Sequence, residues 1–117
     1  MNPARLRLAQ ELGATDAVDA SRVDPVQAVK DITGLGADAV LNTTDVAPVY
    51  HQGLASVAPL GTFGFVTSPG PGFEVDMPQL MLGGRSIRGV VQGDAVPREF
   101  IPRWSAYGAR AAFPWTG

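Results

Sequence analysis

Apolar runs that alternate with helical patterns assign this 117-residue chain to the α/β class. Three runs read as strands, the first two of them buried: Ala39-Val40-Leu41, Gly61 to Val66, and Ser86 to Val91. Helix-start signals fall between and around them, at Asn2-Pro3, Asp24-Pro25 and Asp45. The 14 glycines and 10 prolines sit between the apolar runs as punctuation. Strands alternating with helices imply a parallel sheet with helices on both faces.

Taken in order, Asn2 caps a first helix with Pro3 at its first position. Leu6, Leu8, Ala9 and Leu12 give that helix an apolar face, and Gly13 ends it. Asp16 to Asp19 suits a short strand. Asp24-Pro25 opens a second helix with Val26, Val29 and Ile32 on one face and Gly34 as its stop. Gly36 precedes the central strand, Ala39 to Leu41. Asp45 is placed to cap the next helix, with Val46, Val49, Gly53, Leu54 and Val57 at helical spacing, and Ala58-Pro59 closing it. Gly61 to Val66 is the second buried strand, and Thr67 to Gly72 is too rich in Pro and Gly for regular structure. Phe73 to Met77 alternates like a short extended piece. Asp76 to Leu82 gives about a turn and a half of helix before Gly83-Gly84. Ser86 to Val91 is the third strand, Gln92 to Ala95 a loop, and Pro97 to about Tyr107 a helix that Pro102 should kink. Ala109 to Gly117 has weak periodicity and is expected to fray.

The totals exclude several functions. A net charge of −2 without a basic patch argues against nucleic acid. The chain has no cysteine, hence no disulfide or thiolate chemistry, and one histidine, His51, cannot by itself make a transition-metal site. No apolar run approaches the ~20 residues of a membrane span, and no signal peptide is visible, so the expected location is the cytoplasm. No acid/base pair, nucleophile or metal cluster stands out. Asp16, Asp19 and Asp24 read as edge charges and a cap. His51 reads as a surface or half-buried structural histidine. Trp104, Tyr107 and Trp115 read as cover for the core rather than as a stacking platform. In parallel sheets ligands bind at the carboxyl ends of strands, which nominates Asn42-Thr43-Thr44-Asp45 first.

Five stretches, in order, resemble the medium-chain, zinc-type alcohol dehydrogenases. They are Asn2 to Asp16, Ile32 to Asp38 leading into Leu41-Asn-Thr-Thr44, Leu60 to Val66, Gly89-Val-Val-Gln-Gly-Asp94, and Val96 to Pro102. The last two are most similar to the aryl-alcohol (benzyl-alcohol) branch. The resemblance implies an incomplete Rossmann-like domain: a parallel sheet with flanking helices, without the first two strands and the Gly-x-Gly-x-x-Gly loop. It also implies that the zinc-bearing catalytic domain lies outside these 117 residues. Gly34-Leu-Gly36-Ala-Asp-Ala39 copies the letters of the glycine motif, but it follows a helix and precedes a strand, the reverse of what a phosphate loop needs.

The same resemblance implies NAD or NADP as cofactor and nominates contacts. Thr43 and Thr44 match positions near the ribose and nicotinamide, although a polar loop capping a helix would look the same. Val66, Thr67 and Ser68 match the loop beside the nicotinamide. Val90 and Gln92 match the segment that meets its carboxamide. Arg5 matches a basic position near the adenosine ribose, or is a solvated charge on a helix face. Asp45 stands where the family usually has glycine.

In the complete fold the strand order is 3-2-1-4-5-6, so Asp16–Asp19 and Ala39–Leu41 would each lack a neighbour here. Either the former slides across to pair with the latter, or another chain fills the gap, or folding is partial. The resulting expectation is the cofactor-binding portion of an NAD(P)-dependent alcohol dehydrogenase, not competent alone. The alternatives are a split subunit completed by a second dehydrogenase fragment, or a self-associating module (a homodimer) that uses Phe73 to Met77 and Ile87 to Val91.

Overall fold

In a computed structural model of the chain, residues 2–109 are described. The elements run α1 (Pro3–Glu11), α2 (Pro25–Thr33), β1 (Ala37–Asn42), α3 (Ala47–Ala55), β2 (Val57–Phe65), α4 (Met77–Gly83), β3 (Ser86–Gly89), a 3-10 turn (Gln92–Asp94) and α5 (Pro97–Ala109). The three strands form one parallel sheet in the order β1-β2-β3. The expected α/β class with flanking helices is therefore present. The expectations for residues 110–117, Trp115 among them, fall outside the described residues.

The core is the inward row of the sheet and what covers it. Val40, Phe63 and Ile87 are register partners across the three strands. Tyr50 and Leu54 of α3 pack with Val57 and Phe63 as the buried centre, and Phe65, Phe73, Val75 and Leu80 close around it. The approach of α3 is set by a glycine: a Cβ on Gly53 would stand 2.6 Å from the Phe63 ring. Arg85 ties the next crossover down, donating to the carbonyls of Val57 (2.8 Å) and Gln79 (3.0 Å). The outward row is open by comparison. Leu41 is 60% exposed, and its register mates across the sheet are Gly64 and Arg88. The helices packed on the Phe63 core lie on one face, where the sequence pattern led us to expect cover on both.

Three sequence expectations about the elements change. Asp16 to Asp19 forms no strand, and it does not slide across to pair with β1. A strand needs a ladder partner, and here the Asp19 carboxylate accepts from the Ser21 N–H (3.0 Å) and hydroxyl (2.6 Å), which builds a turn instead. α3 starts at Ala47 with Val46 as its cap residue, so Asp45 does not cap it. The first turn closes on the Val46 carbonyl, which accepts from the Val49 (2.9 Å) and Tyr50 (3.2 Å) N–H groups, one residue beyond Asp45. Val57 belongs to β2, not to the helix, because α3 stops at Ser56.

β2 itself is bulged. Its register with β1 jumps from Ala37↔Val57 to Ala39↔Thr62, leaving Ala58-Pro59-Leu60 as extra chain. Pro59 has no N–H for a ladder, and Leu60 sits at φ 64°. Gly61 follows where the strands close up again: a Cβ there would meet Val57 Cγ1 at 2.7 Å and the Asp38 carbonyl at 2.8 Å.

Other expectations are met in part. Asn2, Asp24 and Asp76 cap α1, α2 and α4 through their side chains. Phe73 and Val75 are half-buried between exposed neighbours without joining a ladder. Both pack against the core cluster. β3 ends at Gly89, two residues short of expectation. α5 continues through Pro102. Trp104 and Tyr107 are 45% and 61% exposed, so they do not cover the core; Trp104 stacks on Phe100 of its own helix at 5.7 Å. α1 buries none of its residues, leaving Leu8 and Leu12 open.

Replacing Gly61 with Ala should cost about 1–3 kcal/mol in denaturant unfolding, because the Asp38 carbonyl is backbone and cannot step aside. An unchanged midpoint would show that the bulge is not closed as described. The Asp19 turn should also be acid-sensitive. Ser21's hydroxyl and N–H, with Arg22 adding, hold the Asp19 carboxyl below its ordinary value of 3.8. The contribution is therefore complete above that value and is lost as pH falls through the lower folded one. A side-chain NMR titration should give a midpoint below 3.8 for Asp19.

Candidate functional site

The carboxyl ends of the three strands lie side by side, and each runs into a polar loop. Backbone bonds carry the ladder past the strand ends: Val66 N–H donates to Asn42 O (3.1 Å) and Val90 N–H to Phe65 O (2.8 Å). The three loops thus leave the sheet in register. The site predicted at Asn42 to Asp45 is the first of them.

Its geometry is set by a buried asparagine. Asn42 is 5% exposed. Its Oδ1 accepts from the Thr44 N–H at 3.2 Å and hydroxyl at 3.3 Å, and its Nδ2 donates to the Thr44 carbonyl at 3.2 Å. The Thr67 hydroxyl donates to the same Thr44 carbonyl. The Tyr50 hydroxyl, rising from the core, donates to the Thr67 carbonyl. One chain of hydrogen bonds therefore runs from α3 through the second loop to the first.

Of the nominated residues, Thr44 and Thr67 are brought into contact, with Val66 and Val90 anchored beside them by the ladder. Thr43 is exposed. Ser68 is also exposed, and its hydroxyl oxygen accepts from Gly70 N–H at 3.3 Å. Gln92 lies beyond β3 in a turn whose three residues, Gln92, Gly93 and Asp94, all have positive φ (52°, 64° and 54°). An Arg88–Asp94 ion pair spans that turn. Arg5 is exposed on α1, away from any buried contact. Tyr50 was not singled out by the sequence reading. The available signal was its spacing from Leu54 on the helix face turned towards the aromatic strand Phe63–Phe65.

Several hollows surround these elements. One of about 330 Å³ is lined by His51, Pro69, Phe73 and Glu74 beside the second loop. His51 is exposed and lies against Phe73, ring centres 4.7 Å apart. A second, about 480 Å³ and mainly apolar, lies between Gln92 and the Phe100–Trp104 face of α5. A third, about 420 Å³, follows the unpaired edge of β1 and is lined by Val18, Val29, Val40, Leu41 and Val49 among others.

Zinc does not fit these residues. Among the described residues no three metal-donor side chains gather, and the chain has no cysteine. A dinucleotide fits only in part. Gly34 ends α2, and Gly36 at φ 115° lets the chain pass the Ser56 carbonyl, where a Cβ would stand 2.6 Å away. Both glycines of the Gly-x-Gly letters are thus used structurally, and neither makes a phosphate loop at a helix N-terminus.

The zinc-binding dehydrogenase family pattern matches residues 1–106. The chain belongs to the zinc-binding dehydrogenase family. Geraniol dehydrogenase of Castellaniella defragrans is 40% identical over 117 residues, covering 97% of this chain and 31% of the relative. Benzyl alcohol dehydrogenase from Acinetobacter calcoaceticus superimposes with a TM-score of 0.91 at 35% identity, over 97% of this chain and 32% of that one. A zinc-binding dehydrogenase from Sinorhizobium meliloti, solved with NADP bound, gives a TM-score of 0.70 at 27% identity over 75% of this chain and 27% of that one. This dehydrogenase chain therefore spans about a third of the length of the relatives it matches. The resemblance to the benzyl-alcohol branch is upheld by these similarities.

Asn42→Leu keeps the volume but leaves the Thr44 amide and carbonyl short of partners. It should cost about 1–3 kcal/mol in denaturant unfolding. A neutral result would mean that solvent already satisfies Thr44.

Proposed function

We propose that this dehydrogenase chain forms the nicotinamide-side wall of an NAD(P) site in an alcohol dehydrogenase. The reaction is hydride transfer between the carbinol carbon of a primary allylic or aromatic alcohol and the nicotinamide ring. The observation that carries this is the convergence of three polar loops, at Thr43–Thr44, Val66–Ser68 and Val90–Gln92, at the carboxyl ends of adjacent parallel strands. Thr43 and Ser68 would meet the ribose and nicotinamide, and Val90 and Gln92 the carboxamide. Arg5 would reach the adenosine end. The similarity to geraniol and benzyl alcohol dehydrogenases supports the substrate class.

The phosphate loop and the zinc ligands are not among these 117 residues, so in the working enzyme other residues supply them. The open edge of β1 favours completion by a second dehydrogenase segment. It offers unpaired backbone beside an apolar groove of about 420 Å³, the setting in which an added strand pairs. Self-association is the second reading, supported by the other free edge, at β3.

The test is a thermal melt followed by reconstitution. Alone, the chain should gain less than about 0.4 kcal/mol from NADH at concentrations below its Kd. Mixed with the rest of the geraniol dehydrogenase relative, it should restore alcohol-dependent NAD(P) reduction. Activity of the pure chain, or none after mixing with a folded complement, would overturn the proposal.

A further inference from the structure

Tyr50 is a buried polar group that the functional reading leaves without a task. It sits in the first turn of α3, 2% exposed. Its ring lies among Phe63, Phe65 and Phe73, with centres 5.7, 6.0 and 5.3 Å away. Packing alone would be served by phenylalanine. The phenol instead carries one O–H out of the aromatic cluster, to the carbonyl of Thr67. Thr67 in turn spends its hydroxyl proton on the Thr44 carbonyl. That carbonyl also receives Asn42 Nδ2 at 3.2 Å, so both of its lone pairs are occupied.

We propose that Tyr50 is a positioning residue for the cofactor wall. It fixes the distance between the first and second loops through Thr67, and so presents Thr43 and Ser68 together to a dinucleotide. The chemistry is a division of labour. Thr44 and Thr67 are consumed inside the protein, and the exposed Thr43 and Ser68 carry the polar groups left for a ligand. The anchor is rigid because Tyr50 is held by rings on three sides. A loop bonded only to another loop would drift with it. The ligand class rests on the proposed function; the mechanical coupling of the loops does not.

The test separates the two. Amide hydrogen exchange of the full chain is compared for wild type, Tyr50→Phe, Thr67→Val and Thr67→Ser, and NADH affinity is measured in the reconstituted dehydrogenase. Tyr50→Phe should keep a cooperative melt while exchange rises at both 43–46 and 66–68. Thr67→Val should release 43–46, and Thr67→Ser, which keeps the hydroxyl, should restore it. NADH should bind about tenfold more weakly to Tyr50→Phe, with KM for the cofactor raised more than kcat falls. Unchanged exchange at 43–46 in both Tyr50→Phe and Thr67→Val, or no protection there in wild type, overturns the coupling. Tight NADH binding that Tyr50→Phe leaves unchanged overturns the positioning role while leaving the functional reading intact. A wild-type assembly that binds no NADH overturns the functional reading, and the cofactor part of this inference with it. Should Tyr50→Phe fail to fold, Thr67→Val decides, since it leaves the aromatic cluster whole.

Discussion

The contact of α3 with the Phe63 ring holds this molecule together. Gly53 has no side chain to hold the helix off, so Tyr50 and Leu54 reach the sheet and bury Phe63 and Val57 almost completely. Burying such side chains contributes roughly 1.5–3 kcal/mol each, and few other large side chains here are buried as deeply. The other elements attach to this centre in turn. Arg85 pins α4 to the start of β2, and Phe73 and Val75 lie over the ring cluster. The loops at the carboxyl ends then inherit their placement from a helix that is itself fixed by one glycine.

Polar placement follows apolar packing here. The bonds joining Asn42, Thr44, Thr67 and Tyr50 are partly withdrawn from water, where an unmet donor or acceptor costs more than a bond gains. The described side chains leave no buried polar atom without a partner. Satisfied networks of this kind are stiff, which holds the two loops in a fixed relation to each other. By contrast the turn after β3 holds Gln92 and Asp94 in left-handed conformations, braced by an exposed Arg88–Asp94 pair, which is weaker than a buried bond.

A three-stranded parallel sheet covered on one face is an unusual resting point. Parallel strands are ordinarily buried on both faces. Leu41 and the edge of β1 are open, and α1 adds no burial. The groove beside that edge is apolar, which suits a strand of hydrophobic residues better than a charged ligand. The same open edge that favours assembly is an aggregation hazard when unfilled.

The amino-acid sequence by itself determined the local elements whose signals are local. Asn2, Asp24 and Asp76 cap helices because a carboxyl or amide oxygen at that offset meets free N–H groups. The apolar runs became strands because they are short, branched or aromatic, and bounded by turns. The ordered likeness to zinc-type dehydrogenases, and with it the nomination of the carboxyl-end loops, was also legible. The tertiary structure decided whatever depends on a distant partner. Asp16 to Asp19 is not a strand because nothing pairs with it. Asp45 is not a cap because the first turn closes on the carbonyl of the next residue, Val46. Trp104 and Tyr107 look like core residues by composition, yet α5 carries them away from the sheet. Which threonine hydroxyls are engaged within the protein was settled by contacts between residues 23 apart in sequence, such as Thr44 and Thr67. Helix caps act over three or four residues, whereas the engagement of these hydroxyls arises only once two loops and a helix meet.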